Sequence, residues 1–375
     1  MSPMTFQEML TELVARGASD IHLHAGLRPM MRLGGRLLPV SANPLQPSFT
    51  ESLLDAFCND RQRTLFAERH QVDLAYSLPG AARFRVNLFR QRGSVSAVLR
   101  VIRSDESALR VVDLSPSLLE HFRDQEKGLL LVTGPTGAGK STTLARIIDE
   151  INTSHSKMIV TIEDPIEYLH RPKNSAVVQR EIGLDAPGFA ESLVAAMRQD
   201  PEVIMIGEIR DHATAAAALS AAQTGHLVLS TLHTLDSVHT INRLLELFPP
   251  HERESARVLF AESLVGIISQ RLLPRRDGEG QVAAMEILKG NLRIKDLIKD
   301  AKRTYEIYEA LKDSRHDGMQ LFDDALAELY SRDVIAYATG MAAATSTQAF
   351  KMAATQIDLQ RDRETPSTGL TMVKG

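Results

Sequence analysis

At 375 residues the chain is long enough for two domains, and 43% hydrophobic residues can supply a sizeable core. Its 43 Lys and Arg against 47 Asp and Glu leave a net charge of −4, which excludes bulk attraction to nucleic acid or to an anionic membrane. Cys58 is the single cysteine, which excludes an internal disulfide or a cysteine metal cluster and fits a reducing cytoplasm. The amino terminus (MSPMTFQEMLTEL) lacks a signal peptide's basic start and apolar core, and no apolar run approaches the ~18 residues of a spanning helix. Direct membrane insertion is therefore not expected; any membrane contact is peripheral or through a partner.

Residues 4–16 place Phe6, Met9, Leu10, Leu13 and Val14 on one helical face, and Gly17 is a stop signal. Residues 19–25 alternate as a strand, and residues 29–40 read as a hairpin around Gly34-Gly35. Two helices over 50–69 and three antiparallel strands at 72–78, 83–91 and 94–102 complete an α+β domain spanning 1–102. Residues 103–116 are polar and read as a linker. From there strands at 128–133, 157–162, 203–207 and 226–231 alternate with helices at 141–152, 189–198, 212–223 and 235–246, the grammar of a parallel α/β sheet. Beyond Pro249-Pro250 a helical pattern runs through 252–273, 290–300, 304–313, 318–330 and 334–344, interrupted by a strand at 282–287. The second domain spans 117–350, and the polar stretch 351–375 is expected to be a mobile tail.

The stretch GPTGAGKST comprises Gly134, Pro135, Thr136, Gly137, Ala138, Gly139, Lys140, Ser141 and Thr142, and it fits the phosphate-loop pattern G-x-x-x-x-G-K-[ST]. Glycines let successive N–H groups turn inward as an anion nest. Lys140 carries a charge to the β- and γ-phosphates of ATP, and the Ser141 hydroxyl is a ligand for Mg²⁺. An apolar strand before the loop and a helical stripe after it supply the setting the motif needs.

Carboxylates at strand ends come next. Glu208 follows the buried run PEVIMIG, and Glu163 and Asp164 follow KMIVTI, places where an acid can orient Mg²⁺ or the attacking water. His226 and His233 bracket another strand, and a histidine near a γ-phosphate can sense it by hydrogen bond. His22 and His24 share one strand face but have only Asp20 beside them, so a metal site is not expected. Arg83, Arg85, Arg90, Arg92 and Arg100 lie on two adjacent strands, with alternation placing Arg83 and Arg85 opposite Arg90 and Arg92. They form either a solvated basic face or a source of arginine fingers.

Four boxes in this order, GPTGAGKST, TIEDPIEY (161–168), IGEIRD (206–211) and TGHLVLSTLHT (224–234), resemble the Walker A, Asp box, Walker B and His box of the type II/IV secretion ATPase superfamily. Further stretches at 17–37, 82–93, 177–185 and 318–326 resemble its PilT/PilU group, which powers pilus retraction, and the lack of an added amino-terminal domain looks like that branch. The resemblance implies a PAS-like α+β amino-terminal domain and a RecA-like ATPase domain with a helical carboxyl-terminal portion. It also implies a cytoplasmic homo-hexamer, with ATP bound between the two domains, acting on an inner-membrane pilus platform protein beside a paralogous pilus ATPase. In that frame Glu163 matches the Asp-box glutamate, Glu208 the Walker B glutamate, His226 and His233 the two His-box histidines, and Arg85 and Arg100 the arginines directed at the γ-phosphate. LRIKDLI (292–298) departs from the group's AIRNLI motif, with Lys295 and Asp296 where Arg and Asn stand, and the tail beyond Ile335 is long. An accessory retraction ATPase or a related secretion or DNA-uptake motor is the alternative. A DNA-translocating ATPase is opposed by the acidic charge and the complete boxes.

Overall fold

The computed structural model describes residues 5–102, 109 and 112–364, and the chain separates into two units, residues 1–105 with 165–171 and residues 106–164 with 172–375. Most of the expected linker, 103–108 with 110 and 111, lies outside the described residues.

In the first unit, helix α1 (Phe6–Ala15) opens on a reciprocal cap: Glu8 N donates to Thr5 Oγ1 at 3.3 Å, and Thr5 N donates to the Glu8 carboxylate at 2.7 Å. Six antiparallel strands follow, β1 (Asp20–His24), β2 (Met30–Leu33), β3 (Arg36–Pro39), β4 (Gln71–Leu78), β5 (Ala82–Gln91) and β6 (Ser94–Ile102), in the order β3-β2-β1-β6-β5-β4. Alternation turns Ile21, Leu23, Phe84, Val86, Leu88 and Leu99 to one face, where each is fully buried. This face shares a core with α1, α2 (Pro47–Phe57) and α3 (Asp60–Arg69) through Leu10, Leu13, Leu53, Phe57 and Phe66. The same period places Asp20, His22, His24, Arg85 and Arg100 on the opposite face. Arg92 is not on the strand as expected: with φ of 50° it forms, with Gly93, the two-residue turn between Gln91 and Ser94.

The second unit is built on strands β7 (Gly128–Thr133), β8 (Met158–Glu163), β9 (Ala176–Glu181), β10 (Val203–Ile206), β11 (Leu227–Leu232), β12 (Leu264–Pro274) and β13 (Gln281–Lys289). Their order is β13-β12-β7-β11-β10-β8-β9, all parallel except the β12–β13 hairpin. Both faces are covered, so the strands read as continuous apolar runs. Leu129 and Leu131 join a core with α6 (Phe189–Ala196), α7 (His212–Gln223), α8 (Ser237–Glu246) and α9 (Arg253–Ser263), together with α10 (Leu292–Lys299) and α11 (Ile307–Asp313). Leu130 and Val132 join a second core with α4 (Pro116–Arg123) and α5 (Lys140–Ser154).

Three expectations are corrected here. The helical pattern expected over 252–273 is helix only to Ser263; Leu264–Pro274 is β12, wedged between β7 and β13. A short run apolar on both faces cannot be assigned by periodicity, and the β-branched Val265, Ile267 and Ile268 favour the strand. Strand β9, at the sheet edge, was not foreseen. Of the stretch 351–375, expected to be a mobile tail, residues 351–364 lie in helix α14 (Thr347–Glu364), which packs with α12 (Phe322–Ser331) and α13 (Tyr337–Ala343), and residues 365–375 lie outside the described residues. Phe350 and Ala354 are fully buried in a cluster with Leu273 and Leu326, and Tyr330 Oη donates to Asp358 at 2.8 Å.

Candidate active site

The phosphate loop joins the carboxyl end of β7 to the first turn of α5. Gly134 and Gly139 hold φ of 147° and 86°, and a Cβ on Gly134 would stand 2.3 Å from the Gln270 carbonyl oxygen, so this position admits no side chain. Lys140 is buried, and its Nζ donates to the carbonyls of Gly134 at 2.9 Å and Pro135 at 3.1 Å. Ser141 is exposed beside it, in the first turn of a fifteen-residue helix whose amino-terminal N–H groups favour anions.

Strand polarity gathers the other groups. The hydroxyls of Ser230 and Thr231 donate to the carbonyls of Ile206 and Gly207 at 2.9 and 2.7 Å, fastening the end of β11 to the end of β10. His233 and Glu208, one or two residues further on, are thereby neighbours. His233 Nδ1 lies 3.4 Å from Lys140 Nζ, and His233 Nε2 lies 3.4 Å from Glu208 Oε2. An ammonium group only donates, so Nδ1 is the acceptor and the ring proton sits on Nε2, on the Glu208 side. Glu208 is mostly buried and forms an ion pair with Arg210 through Oε1. Its Oε2, although close to His233, receives no aligned hydrogen bond. A buried carboxylate oxygen lacking a donor, together with an exposed Ser141 hydroxyl, is a donor set that fits a hard divalent cation. Glu163 stands at the end of β8, buried, accepting from Thr161 Oγ1 at 2.6 Å and Gln179 Nε2 at 3.1 Å.

His226 is not brought into this group. It precedes β11 at the amino end of the sheet, where its carbonyl accepts from Gly128 N at the start of β7 and its Nδ1 lies 3.1 Å from the Ala221 carbonyl. A six-residue strand separates it from His233, roughly 20 Å at about 3.3 Å per residue. Arg85 and Arg100 belong to the first unit, as cross-strand partners on one face. Arg100 Nε donates to Asp20 at 2.9 Å and Arg32 stands 3.8 Å from the same carboxylate. Burial pushes the Asp20 carboxyl up, but the hydrogen bonds from Arg100 and Ser19 and the two guanidinium charges hold it below the usual range. Burial holds His22 and His24 below the ordinary imidazole value, so the pair is shaped as neutral rings.

Several residues at the site were not foreseen. A chain of hydroxyls, Ser269, Thr133, Thr240 and Thr234, links β12, the end of β7 and the segment after His233, with contacts of 2.9, 3.4 and 2.7 Å. Glu286 on β13 accepts from Ser237 N at 2.8 Å and Ser237 Oγ at 2.7 Å, capping α8 four residues past His233. Burial raises its carboxyl above the ordinary value against those two hydrogen bonds. The signal for such groups is a polar residue inside an apolar strand run, which must find a partner when buried.

A phosphate loop, an acid and a histidine at the carboxyl ends of adjacent parallel strands define a P-loop nucleoside-triphosphatase. A family model described as type II/IV secretion system protein matches residues 2–319, and the chain belongs to this family of ATPases. It is 41% identical over 332 residues to the type IV pilus retraction ATPase PilT of Pseudomonas aeruginosa, covering 88% of this chain and 96% of that protein. It is 38% identical to the type IV pilus ATPase PilU of the same organism, over 93% and 91% of the two chains. A crystal structure of the pilus retraction motor PilT with bound ADP superposes with a TM-score of 0.85 at 40% identity, covering 93% of this chain and 100% of that one. Among the described residues no helix is long and apolar enough to cross a membrane.

Proposed function

We propose that this ATPase is a motor for type IV pilus retraction, working as a homo-hexamer at the cytoplasmic face of the inner membrane against a pilus platform protein. The observation that carries its chemistry is the line Lys140–His233–Glu208, with both links at 3.4 Å. Lys140 and the loop amides bind the β- and γ-phosphates of ATP. Ser141 and Glu208 would hold Mg²⁺, which would neutralise phosphate charge. Glu163 or Glu208 orients the attacking water. When Lys140 turns from the Gly134 and Pro135 carbonyls toward a phosphate, the contact with His233 changes, so His233 can report γ-phosphate occupancy to the segment that leads into α8. Arg85 and Arg100 supply guanidinium charge to the transferring phosphoryl group; Arg100→Ala should then lower kcat more than nucleotide affinity, and an unchanged kcat returns Arg100 to a bond with Asp20 alone.

Deleting the gene should leave cells with many long surface pili and no twitching, restored by the wild-type chain and not by Lys140→Ala. Bald cells would make this an assembly motor. The similarity to PilU over 93% of the chain supports a second reading, an accessory retraction ATPase. Normal pilus number with weak retraction under load would favour it.

A further inference from the structure

The back wall of the phosphate loop is one residue of a different strand. Gln270 lies on β12, which runs parallel to β7 with Ser269 opposite Thr133, so Gln270 is the first residue of β12 level with the loop itself. Its side chain is buried, 1% exposed, and both ends of the carboxamide are engaged. Nε2 donates to the Ala138 carbonyl inside the loop, and Oε1 accepts from Thr143 Oγ1 at 2.7 Å, one turn into α5. Its main chain closes on Gly134 at one end of the loop, and its Nε2 would stand 3.0 Å from a Cβ on Gly139 at the other. Main chain and side chain of one residue thus touch the first and last glycines of the motif, the carbonyl between them and the helix beyond.

We propose that Gln270 is a positioning residue for ATP binding, one that holds the Ala138–Gly139 peptide so that the loop's N–H groups stay turned into the phosphate nest. A peptide has two ends. With the Ala138 carbonyl tied to Gln270 behind the loop, the N–H of Gly139 is directed to the other side, where an anion nest needs it. The Ala138 carbonyl, which only accepts, fixes which way round the carboxamide sits: Nε2 must face it, and Oε1 is left to accept from the Thr143 hydroxyl. Both partners are buried, so a lost donor is not replaced by water and the peptide is free to turn. A carboxamide is required: a carboxylate would oppose the Ala138 carbonyl with a second acceptor.

The inference rests on the phosphate loop being the nucleotide site, and the test separates the two. ADP binding with Mg²⁺ is measured by calorimetry on the full chain, alongside steady-state ATPase rates. Gln270→Met keeps the volume and removes the hydrogen bonds; the ADP Kd and the KM for ATP should rise about tenfold, with kcat within about threefold. Gln270→Glu should bind more weakly still. Thr143→Val, which keeps the shape and removes one donor, should cost about threefold and decides the matter if the Gln270 variants do not fold. ADP binding as in the wild type for both Gln270→Met and Thr143→Val would overturn the proposal, leaving Gln270 as packing. Lys140→Ala is the control. If it too binds ADP normally, the site assignment fails; if it alone loses binding, only the role of Gln270 fails.

Discussion

At the carboxyl ends of β7, β8, β10 and β11 stand Lys140, Glu163, Glu208 and His233, while the amino ends of the same strands carry Gly128, Met158, Val203 and His226. The amino end is used for fastening. The Glu202 carboxylate accepts from Met158 N at 2.6 Å, and the His226 carbonyl accepts from Gly128 N at 3.0 Å, contacts that register neighbouring strands. The carboxyl end keeps a buried carboxylate oxygen without a donor and a lysine resting on loop carbonyls, groups that a bound ligand would satisfy better. Two histidines on one strand therefore differ in function because a parallel sheet has a chemical direction: helix amino termini and their N–H groups gather at one end only.

Glu208→Gln tests the carboxyl end hardest. Nucleotide should still bind while turnover falls about 10²–10³-fold, measured as phosphate release at saturating ATP; loss of binding instead would give Glu208 a role in affinity. His233→Ala and His226→Ala measured side by side come next, with kcat down about tenfold for the first and within about twofold of wild type for the second. Equal losses would erase the distinction between the ends. The smallest effect belongs to Glu286, between the two ends in chemistry because it is buried, acidic and only structural. Its carboxyl is raised in the folded state, so the protonated form is favoured there; its stabilising contribution is full below the ordinary glutamate value of 4.5 and is lost as pH rises through the elevated one. Glu286→Gln keeps the acceptor for Ser237, so the urea midpoint should gain at pH 7 relative to wild type and show little gain at pH 4. A larger gain at pH 4 would reverse the sign of the argument.

What was legible in sequence follows the range of each interaction. The phosphate loop is a local motif, and its glycines, lysine and serine declare themselves within nine residues. The alternation in β5 and β6 fixed which residues are buried, because one face of an antiparallel sheet meets helices and the period of two survives. That signal vanishes in β12, covered on both faces, where VGIISQRLL gives neither period, and its buried polar residues Ser269 and Gln270 are the remaining clue. Helix α14 was hidden for another reason: its anchors Phe350, Ala354 and Ile357 do keep helical spacing, but one of them is only a methyl group, and the apolar Met352 and Leu359 are exposed rather than buried with them. His226 was equivocal because a histidine beside a strand reveals proximity to a strand end and not which end it is.

The bond from Gln270 to Ala138 spans 132 residues of sequence. During synthesis the whole nine-residue motif emerges, with its strand and helix, well before the residue that backs it. The loop of a nascent chain therefore lacks its rear support until β12 has slid in beside β7, a long-range pairing of the slow kind. If Gln270 holds the loop as proposed, a chain cut short before β12 should carry the complete phosphate-loop motif and still bind nucleotide poorly.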